Sequence, residues 1–337
     1  MTSPALAASD PALRLLAVGL LLLLLLIAAL IRTALSYRVA NNRTRTQWLR
    51  REAAWEPAVL SVLGGGLADA ELHALVGSPD RLYFVDYLLR FARRLQGDER
   101  ATVERLAAPY LPAIAARLDQ RDEEFRARAI NTLSSLGLSD YGPVVVAALD
   151  DRSDLVAMVA ARSLARPGVP EYAEEVLRRL GRFRQWRPSF LASMLAQIGL
   201  DVAPVLRRTL TDAAVEPGVR AIAAEALREL HDPEAADPAA EVLRTSEDRE
   251  LVAAALGILM EVGQREHLDQ VRPLVGSKEP ILRARAYAIV ARLGGVDDVA
   301  LIRKAFQDDS PWVVIRVVDT LRAAGAREVL AQLGEAT

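Results

Sequence analysis

Residues 280–294 read PILRARAYAIVARLG, and their apolar residues follow a helical spacing. Ala286, Val290 and Leu293 lie eight, four and one residue before Gly294. These three offsets fall on one stripe of an α-helix. The stretch therefore predicts a helix with one buried face that ends close to Gly294.

The same pattern recurs through the last two thirds of the chain. Reference residues that correspond to Gly294 are spaced by 31 or 32 residues, and they define repeats one to seven: Gly137, Gly168, Gly199, His231, Gly263, Gly294 and Gly325. Four residues before each of them stands an aliphatic residue: Leu133, Leu164, Leu195, Leu227, Leu259, Val290 and Leu321. Glycine at six of the seven reference positions predicts helices that end in a left-handed residue.

The first half of each repeat carries another apolar helix, as in Val202–Leu210 and Val299–Phe306. We call it the first helix of the repeat, and the helix before the reference residue is the second helix. Short polar turns such as Asp308-Asp309-Ser310-Pro311 join the two helices. A helical hairpin of this length cannot bury its apolar stripe alone, so successive copies must stack. The sequence predicts an all-α fold, an α-solenoid of about seven hairpins over residues 107–337, closed by a turn at Glu328–Leu333. Residues 52–106 do not follow the period and are predicted to form an N-terminal helical cap.

The hairpins resemble HEAT repeats of the short bacterial type. The pairs Phe125-Arg126, Val219-Arg220 and Leu282-Arg283 match the start of the HEAT second helix, and alanines follow them. The resemblance covers about residues 107–325 and implies a solenoid whose second helices line a concave face. Repeats two, three, five and seven have no arginine at the matching position, which holds Ala157, Pro188, Val252 and Val314. A continuous ladder of Asp–Arg pairs is therefore not expected.

The N-terminus contains an apolar run, Leu15 to Ile31, without a charged side chain. Its length suits a bilayer, and residues 13–35 are predicted to form a transmembrane helix. A cleaved signal peptide is the alternative, but the start lacks a basic region. Arginines follow the run, beginning with the membrane-proximal Arg32, and Arg38, Arg43 and Arg45 lie in a basic juxtamembrane segment at 36–51. They predict that residues 1–12 lie outside an inner membrane and that the solenoid is cytoplasmic.

Composition argues against catalysis and against nucleic-acid binding. The chain has no cysteine and three histidines, none spaced as metal ligands on one helix turn. No cofactor, no metal and no catalytic set is predicted. The side chains of residues 1–51 carry a net charge of +6. Because the whole chain has a net charge of −2, the remaining residues carry −8. An acidic body is poorly suited to bind nucleic acid.

Candidate partner-binding residues follow from the outward offsets of the second helices. Positions six and two before the reference residues are expected on the concave face, and the candidates among them are Asn131, Arg162, Arg166, Gln197, Glu225, Glu229, Glu261, Arg292 and Asp319. The face is predicted to be basic near repeat two and acidic near repeats four and five. An ordinary solvated surface is the alternative.

A second candidate surface lies at the irregular turn of repeat three. Arg182, Arg184, Trp186 and Arg187 have the composition of an interface hot spot, although a tryptophan packed under arginine stems would look the same. Trp312, which follows Pro311, raises the same question, since an aromatic residue in a first turn commonly packs on the preceding helix.

The favoured function is a non-enzymatic, membrane-tethered scaffold that binds a protein partner. The resemblance implies a partner such as a membrane glycosyltransferase of polysaccharide export, to which this chain would be an accessory. The alternative is a HEAT-like enzyme, such as a chromophore-binding protein of the phycobilin-lyase type.

Overall fold

The computed structural model describes residues 11–323, and every regular element in that range is a helix. Residues 1–10 and 324–337 fall outside the description, and with them Gly325 and the predicted closing turn at Glu328–Leu333. The side chains of residues 11–15, 17, 34–47 and 296 fall outside it too. The chain divides into two compact units, residues 1–106 and 107–337.

In the described part of the first unit the α-helices are α1 (Pro11–Leu63), α2 (Asp69–Leu75), α3 (Arg81–Ala92) and α4 (Gly97–Ala107), and α4 ends on the first residue of the second unit. Its core is aromatic. The ring of Trp55 lies 5.2 Å from that of Phe84 and 5.9 Å from that of Tyr87, and all three side chains are buried. Burial raises the pKa of Tyr87 to about 12. The helix that carries Trp55 is continuous with the N-terminal apolar run, so no break separates residues 13–35 from the predicted cap.

No single helix in the part of the chain described here combines the length and the hydropathy of a membrane span; α1 contributes the apolar stretch Val18–Thr33. Two later helical segments, Pro188–Ala196 and Leu200–Thr211, have the length and hydropathy of a membrane span only when taken together, and they are bent by 106° relative to each other. Arg32 is exposed on α1, whereas only the helical backbone is described at Arg38, Arg43 and Arg45.

The second unit is a stack of seven hairpins over residues 111–323, confirming the predicted all-helical solenoid. The first helices of the hairpins are α5 (Leu111–Ala115), α7 (Leu138–Ala147), α9 (Ala173–Arg178), α11 (Ala203–Thr211), α13 (Ala236–Thr245), α15 (Leu268–Val271) and α17 (Val299–Ala305). The second helices are α6 (Glu123–Leu136), α8 (Asp154–Leu164), α10 (Pro188–Ala196), α12 (Pro217–Glu229), α14 (Arg249–Val262), α16 (Pro280–Leu293) and α18 (Pro311–Ala323).

The predicted apolar stripe forms the core of this stack. The aliphatic residues four before each reference position, from Leu133 to Leu321, are completely buried, and so are the small residues Ala160, Ala223 and Ala286. Small side chains at these positions let neighbouring second helices approach closely.

One junction in the stack differs from the others. Second helices of neighbouring repeats pack side by side in the pairs α6 and α8, α10 and α12, α12 and α14, α14 and α16, and α16 and α18. The helices α8 and α10 do not pack closely, and the segment that follows α8 turns through Gly168 at φ 73°. Among the second helices, those of repeats two and three therefore make the least contact with each other, and polar contacts such as that of Arg182 with Leu149 join these two repeats instead.

The helix ends correct one prediction. Left-handed backbone occurs at Gly168, at Gly199 and at His231, where φ is 52°, but Gly263 and Gly294 have φ of −64° and −67°. At Gly263 a Cβ atom would lie 2.3 Å from the carbonyl oxygen of Leu259. Glycine is needed there because the chain leaves the helix against its own last turn, and not for a positive φ.

Ion pairs join successive repeats where the sequence supplies the arginine. Arg126 pairs with Asp151 and Arg283 with Asp308, both at 2.8 Å, and each aspartate lies in the inter-helix turn of the next repeat. The third matching arginine, Arg220, donates to the carbonyl of Leu210 in its own hairpin at 2.9 Å. The Asp–Arg ladder is thus limited to two rungs.

A further set of pairs links the first helices to the start of the following repeat. Arg207 contacts Asp232 at 2.9 Å, and Arg272 contacts Asp298 at 2.9 Å. Both aspartates are buried. The hydrogen bond from Arg272 holds the pKa of Asp298 below its usual value, although burial acts in the opposite direction.

This lowered pKa predicts the pH dependence of stability. A carboxylate whose pKa is lower in the folded state stabilises the fold above its unfolded pKa, about 3.9, and loses that contribution as the pH falls through the folded value. We expect the urea midpoint of the wild type to fall steeply below about pH 4. The urea midpoint of Asp298→Asn should be lower than that of the wild type at pH 6, and it should decrease less steeply as the pH falls. Parallel slopes for the two proteins would show that Asp298 does not contribute.

Candidate protein-binding face

The outward side chains of the second helices form one surface, which we call the second-helix face. Asn131, Arg166, Glu225, Glu229 and Arg292 are half-buried on it, and Arg162, Gln197, Glu261 and Asp319 are exposed. The structure brings Glu225 and Glu261 together in one recess. Three arginines that were not among the predicted residues, Arg228, Arg285 and Arg316, line the same recess. The other candidates lie outside that recess.

Two predicted binding residues have an internal role. Arg292 donates to the carbonyl oxygens of Leu259 and Gly263 at 2.9 and 3.0 Å, and Arg166 donates to that of Ser134. Each guanidinium thus caps the C-terminal end of the preceding second helix, whose last carbonyls have no partner within the helix. Burial lowers the pKa of Arg292, against the opposing effect of Glu261.

Removal of such a cap has a predictable cost. Arg292→Ala is expected to lower the free energy of unfolding by about 1–2 kcal/mol, because the carbonyl of Leu259 in the last turn of α14 and that of Gly263, which follows the helix, lose a charged donor. The measurement is urea unfolding followed by circular dichroism. Arg322→Ala, at an exposed position of α18, is the control and should change stability by less than about 0.5 kcal/mol. Equal effects of both substitutions would contradict the capping role.

The recess that contains Glu225 and Glu261 has a volume of about 190 Å³ and lies over Gly257 of α14. A Cβ atom on Gly257 would lie 3.2 Å from Cδ of Arg228 and 3.6 Å from Nη1 of Arg285. The missing side chain therefore allows arginines from α12 and α16 to meet across α14. Glycine inside a helix costs about 1 kcal/mol relative to alanine, but here it avoids a tight contact with Arg228.

Three arginines and two glutamates line this recess, so the positive charge exceeds the negative charge. Arg228 pairs with Glu225, whereas Arg285 donates to the carbonyl of Ala253, and Arg316 is exposed. Burial lowers the pKa of Arg285, and the like charges of Arg316 and Arg228 act in the same direction against Glu225. Glu229, one turn beyond Glu225, accepts a hydrogen bond from Ser193 at 2.9 Å.

A larger recess adjoins the first and shares Arg285 and Arg316 with it. Its volume is about 660 Å³, and Pro280, Ile281, Ala284 and Trp312 form its apolar part. Trp312 has 75% of its surface exposed and Ile281 has 48%. Trp312 is therefore not buried against the preceding helix.

The arginine cluster of repeat three lies in the connection between α9 and α10. Arg182 donates to the carbonyl of Leu149 at 2.8 Å, and Arg184 pairs with Glu216 at 2.7 Å. Trp186 is half-buried, with its ring 5.8 Å from that of Phe183, and Arg187 is exposed. Three of the four residues thus tie neighbouring repeats together or pack locally, and a role in partner binding stays a prediction.

One cluster of possible metal ligands occurs among the described residues, formed by Asp237, Glu266 and His267. His267 is buried; its Nδ1 accepts from the backbone N–H of Gln264 at 3.0 Å, and its Nε2 lies 3.1 Å from a carboxylate oxygen of Asp237. Both ring nitrogens have partners, so the histidine is explained as a bridge between repeats five and six.

Comparison with known proteins identifies part of the second unit. Residues 237–322, which contain α13 to α18, match the family model of HEAT repeats. No curated protein matches the chain.

Solved structures resemble the chain at low identity. A mutant of the karyopherin Kap121p has a TM-score of 0.46 at 15% identity over 74% of this chain and 34% of its own. Kap121p bound to the extreme C-terminus of the phosphatase Cdc14p has a TM-score of 0.44 at 15% identity, covering 73% and 33%. A designed armadillo repeat protein has a TM-score of 0.31 at 18% identity, covering 64% and 99%. The chain spans about a third of the length of the karyopherins.

Proposed function

We propose that this HEAT-repeat protein is a membrane-tethered scaffold that binds a protein partner through the second-helix face of repeats four to seven. HEAT and armadillo solenoids typically serve as interaction scaffolds, but the fold alone does not define the site. The site has to be argued from the side chains on that face.

The observation that carries the proposal is the exposure of Trp312. Exposed tryptophan beside arginine is the composition of binding hot spots, and burial of an aromatic side chain dominates the energy of many interfaces. Ile281 lines the same recess, and Ile315, which is 51% exposed, lies three residues after Trp312 on α18. Arg285 and Arg316 border the same recess. A partner that covers this surface would bury the apolar side chains together with the guanidinium groups beside them.

The tether is supported by the exposed leucines of α1. Leu20 to Leu26 have between 52% and 61% of their surface exposed. Full burial of a leucine is worth about 1.5–3 kcal/mol, so seven of them in succession favour an apolar environment around this helix. The arginines after the run, beginning with Arg32, favour an inner-membrane protein with its N-terminus outside and its repeats in the cytoplasm.

A tether also bears on the affinity that the face requires. Attachment to the bilayer raises the local concentration of a membrane partner, so contacts that are weak in solution suffice. An embedded enzyme, such as a glycosyltransferase of polysaccharide export, is the partner class that the sequence resemblance favours.

Crosslinking in membranes tests this proposal. The full chain, with a photoreactive amino acid at Ile315, is crosslinked in its own membranes and its adducts are identified by mass spectrometry. We expect one dominant membrane-associated adduct, which Arg316→Glu abolishes. Lys304→Glu, a charge reversal on the exposed side of α17, is the control and should leave the adduct unchanged.

Two outcomes would contradict the scaffold. A covalent chromophore or a bound small molecule in place of a protein adduct would favour the enzymatic alternative. Adducts that are equally abundant in the wild type and in Arg316→Glu would show that this face binds no specific partner. Separately, recovery of the chain in the soluble fraction would refute the tether but not the binding face.

A further inference from the structure

We infer that the partner presents a segment in which a large apolar side chain stands next to carboxylates. This inference rests on the proposed function and specifies its partner. The apolar side chain would occupy the 660 Å³ recess at Trp312, and the carboxylates would meet the arginines of the adjoining 190 Å³ recess.

The order of residues along the helices sets this arrangement. Ile281 and Trp312 lie in the first turns of α16 and α18, and Arg285 and Arg316 follow each of them by four residues, one turn further along. Residues four apart on a helix share a face, so an apolar row is followed by a row of arginines. A ligand that crosses both rows has to match them in that order.

The acids that line the two recesses, Glu225, Glu261 and Glu279, offset the charge of the four arginines there only in part. Over residues 11–323, no acidic side chain lies within 4 Å of Arg285 or Arg316, whereas Arg228 is paired with Glu225. Covering these guanidinium groups with a neutral surface would leave their charges buried without a partner, which is costly. Carboxylates would supply bidentate, charge-assisted hydrogen bonds instead.

Gly257 provides the room for this contact. Because no side chain stands between Arg228 and Arg285, both can turn toward a group that sits over the backbone of α14. The recess also borders Leu256, Met260 and Ala288, whose apolar surfaces exclude water around an ion pair.

Peptide selection on the full chain tests the inference. Random dodecapeptides are displayed and selected on the full chain in detergent micelles, with an Arg285→Glu, Arg316→Glu double variant used to remove peptides that bind elsewhere. We expect enriched peptides to combine Trp, Phe, Leu or Ile with Asp or Glu within about four residues, a reach of about 13 Å in an extended chain. Replacing their acids by amides should weaken binding at least tenfold.

A charge-swap experiment supplies the control. Arg316→Glu should weaken the acidic peptide at least tenfold and should restore binding to a version with Lys in place of the acids, while Lys304→Glu should change neither. Circular dichroism shows whether each variant is folded, and Gly257→Leu offers a second way to block the recess without changing charge.

Several results would overturn the inference. These are enrichment of basic or uncharged peptides, binding of acidic peptides that ignores Arg316→Glu, or no enrichment over micelles without the chain. A sedimenting mass that doubles, and that returns to one chain in Trp312→Ala, would show that a second copy occupies the site. If crosslinking still captures a protein whose adduct depends on Arg162 or Asn131, the scaffold stands and only the partner class is refuted.

Discussion

Asp308→Ala is expected to lower the free energy of unfolding by about 3 kcal/mol, the largest loss of stability that we predict from one side chain. Arg283 donates to the two carboxylate oxygens of Asp308 at 2.8 Å each, and Asp308 also accepts from the N–H of Ser310 at 2.9 Å. The side chains of Arg283 and Asp308 are 17% and 8% exposed. Removal of the carboxylate leaves a largely buried guanidinium without its partner and the turn before α18 without the hydrogen bond to Ser310.

Asp309 provides a control that differs by one position. Its side chain is exposed and contributes no hydrogen bond to α18, so Asp309→Ala should change stability by less than about 0.5 kcal/mol. Urea unfolding of the full chain, followed by circular dichroism, measures both variants. Hydrogen exchange should locate the loss of protection in α16 and α18. Equal stability of the two variants would mean that the rung between repeats six and seven contributes nothing.

Trp312→Ala is expected to weaken partner binding about 30-fold, which corresponds to about 2 kcal/mol, the threshold of an interface hot spot. The side chain is 75% exposed, so its removal takes little from the folded core. Stability should therefore stay within about 0.5 kcal/mol of the wild type. The measurement is the yield of the crosslinked adduct together with titration of a selected peptide.

Trp186 is the matched control for this substitution. It is half-buried against Phe183 in the turn of repeat three. Trp186→Ala should lower stability while leaving peptide binding at the second-helix face of repeats four to seven unchanged. The opposite pattern, with binding lost in Trp186→Ala and retained in Trp312→Ala, would move the binding site to the turn of repeat three.

The repeat architecture could be predicted from the sequence because the buried residues recur at regular intervals along the chain. Leu133, Leu227 and Leu321 recur at one offset, and the structure buries all three completely. A helix must hide such a stripe, so the spacing determines both the element and the side of it that faces the stack. The rungs at Arg126 and Arg283 also followed the positions that resemblance indicated.

The individual roles on the second-helix face were not accessible in the same way. A long arginine side chain can point in several directions from one backbone position. Arg292 reaches back to cap α14, whereas Arg285 reaches across Gly257, and no spacing distinguishes the two. The exposure of Trp312 likewise depends on which neighbours leave it uncovered, since a first-turn aromatic residue is compatible with either outcome. Offsets predict the face of a helix but not the reach of its side chains.

The loose junction between α8 and α10 has a consequence for how the array responds to load. In a linear stack, each repeat is stabilised by its neighbours, so repeats unfold together only where the interfaces between them are strong. A seam after repeat two would let repeats three to seven melt or flex as one block while repeats one and two stay folded. Such a seam would act as a hinge and would open first when force is applied along the stack.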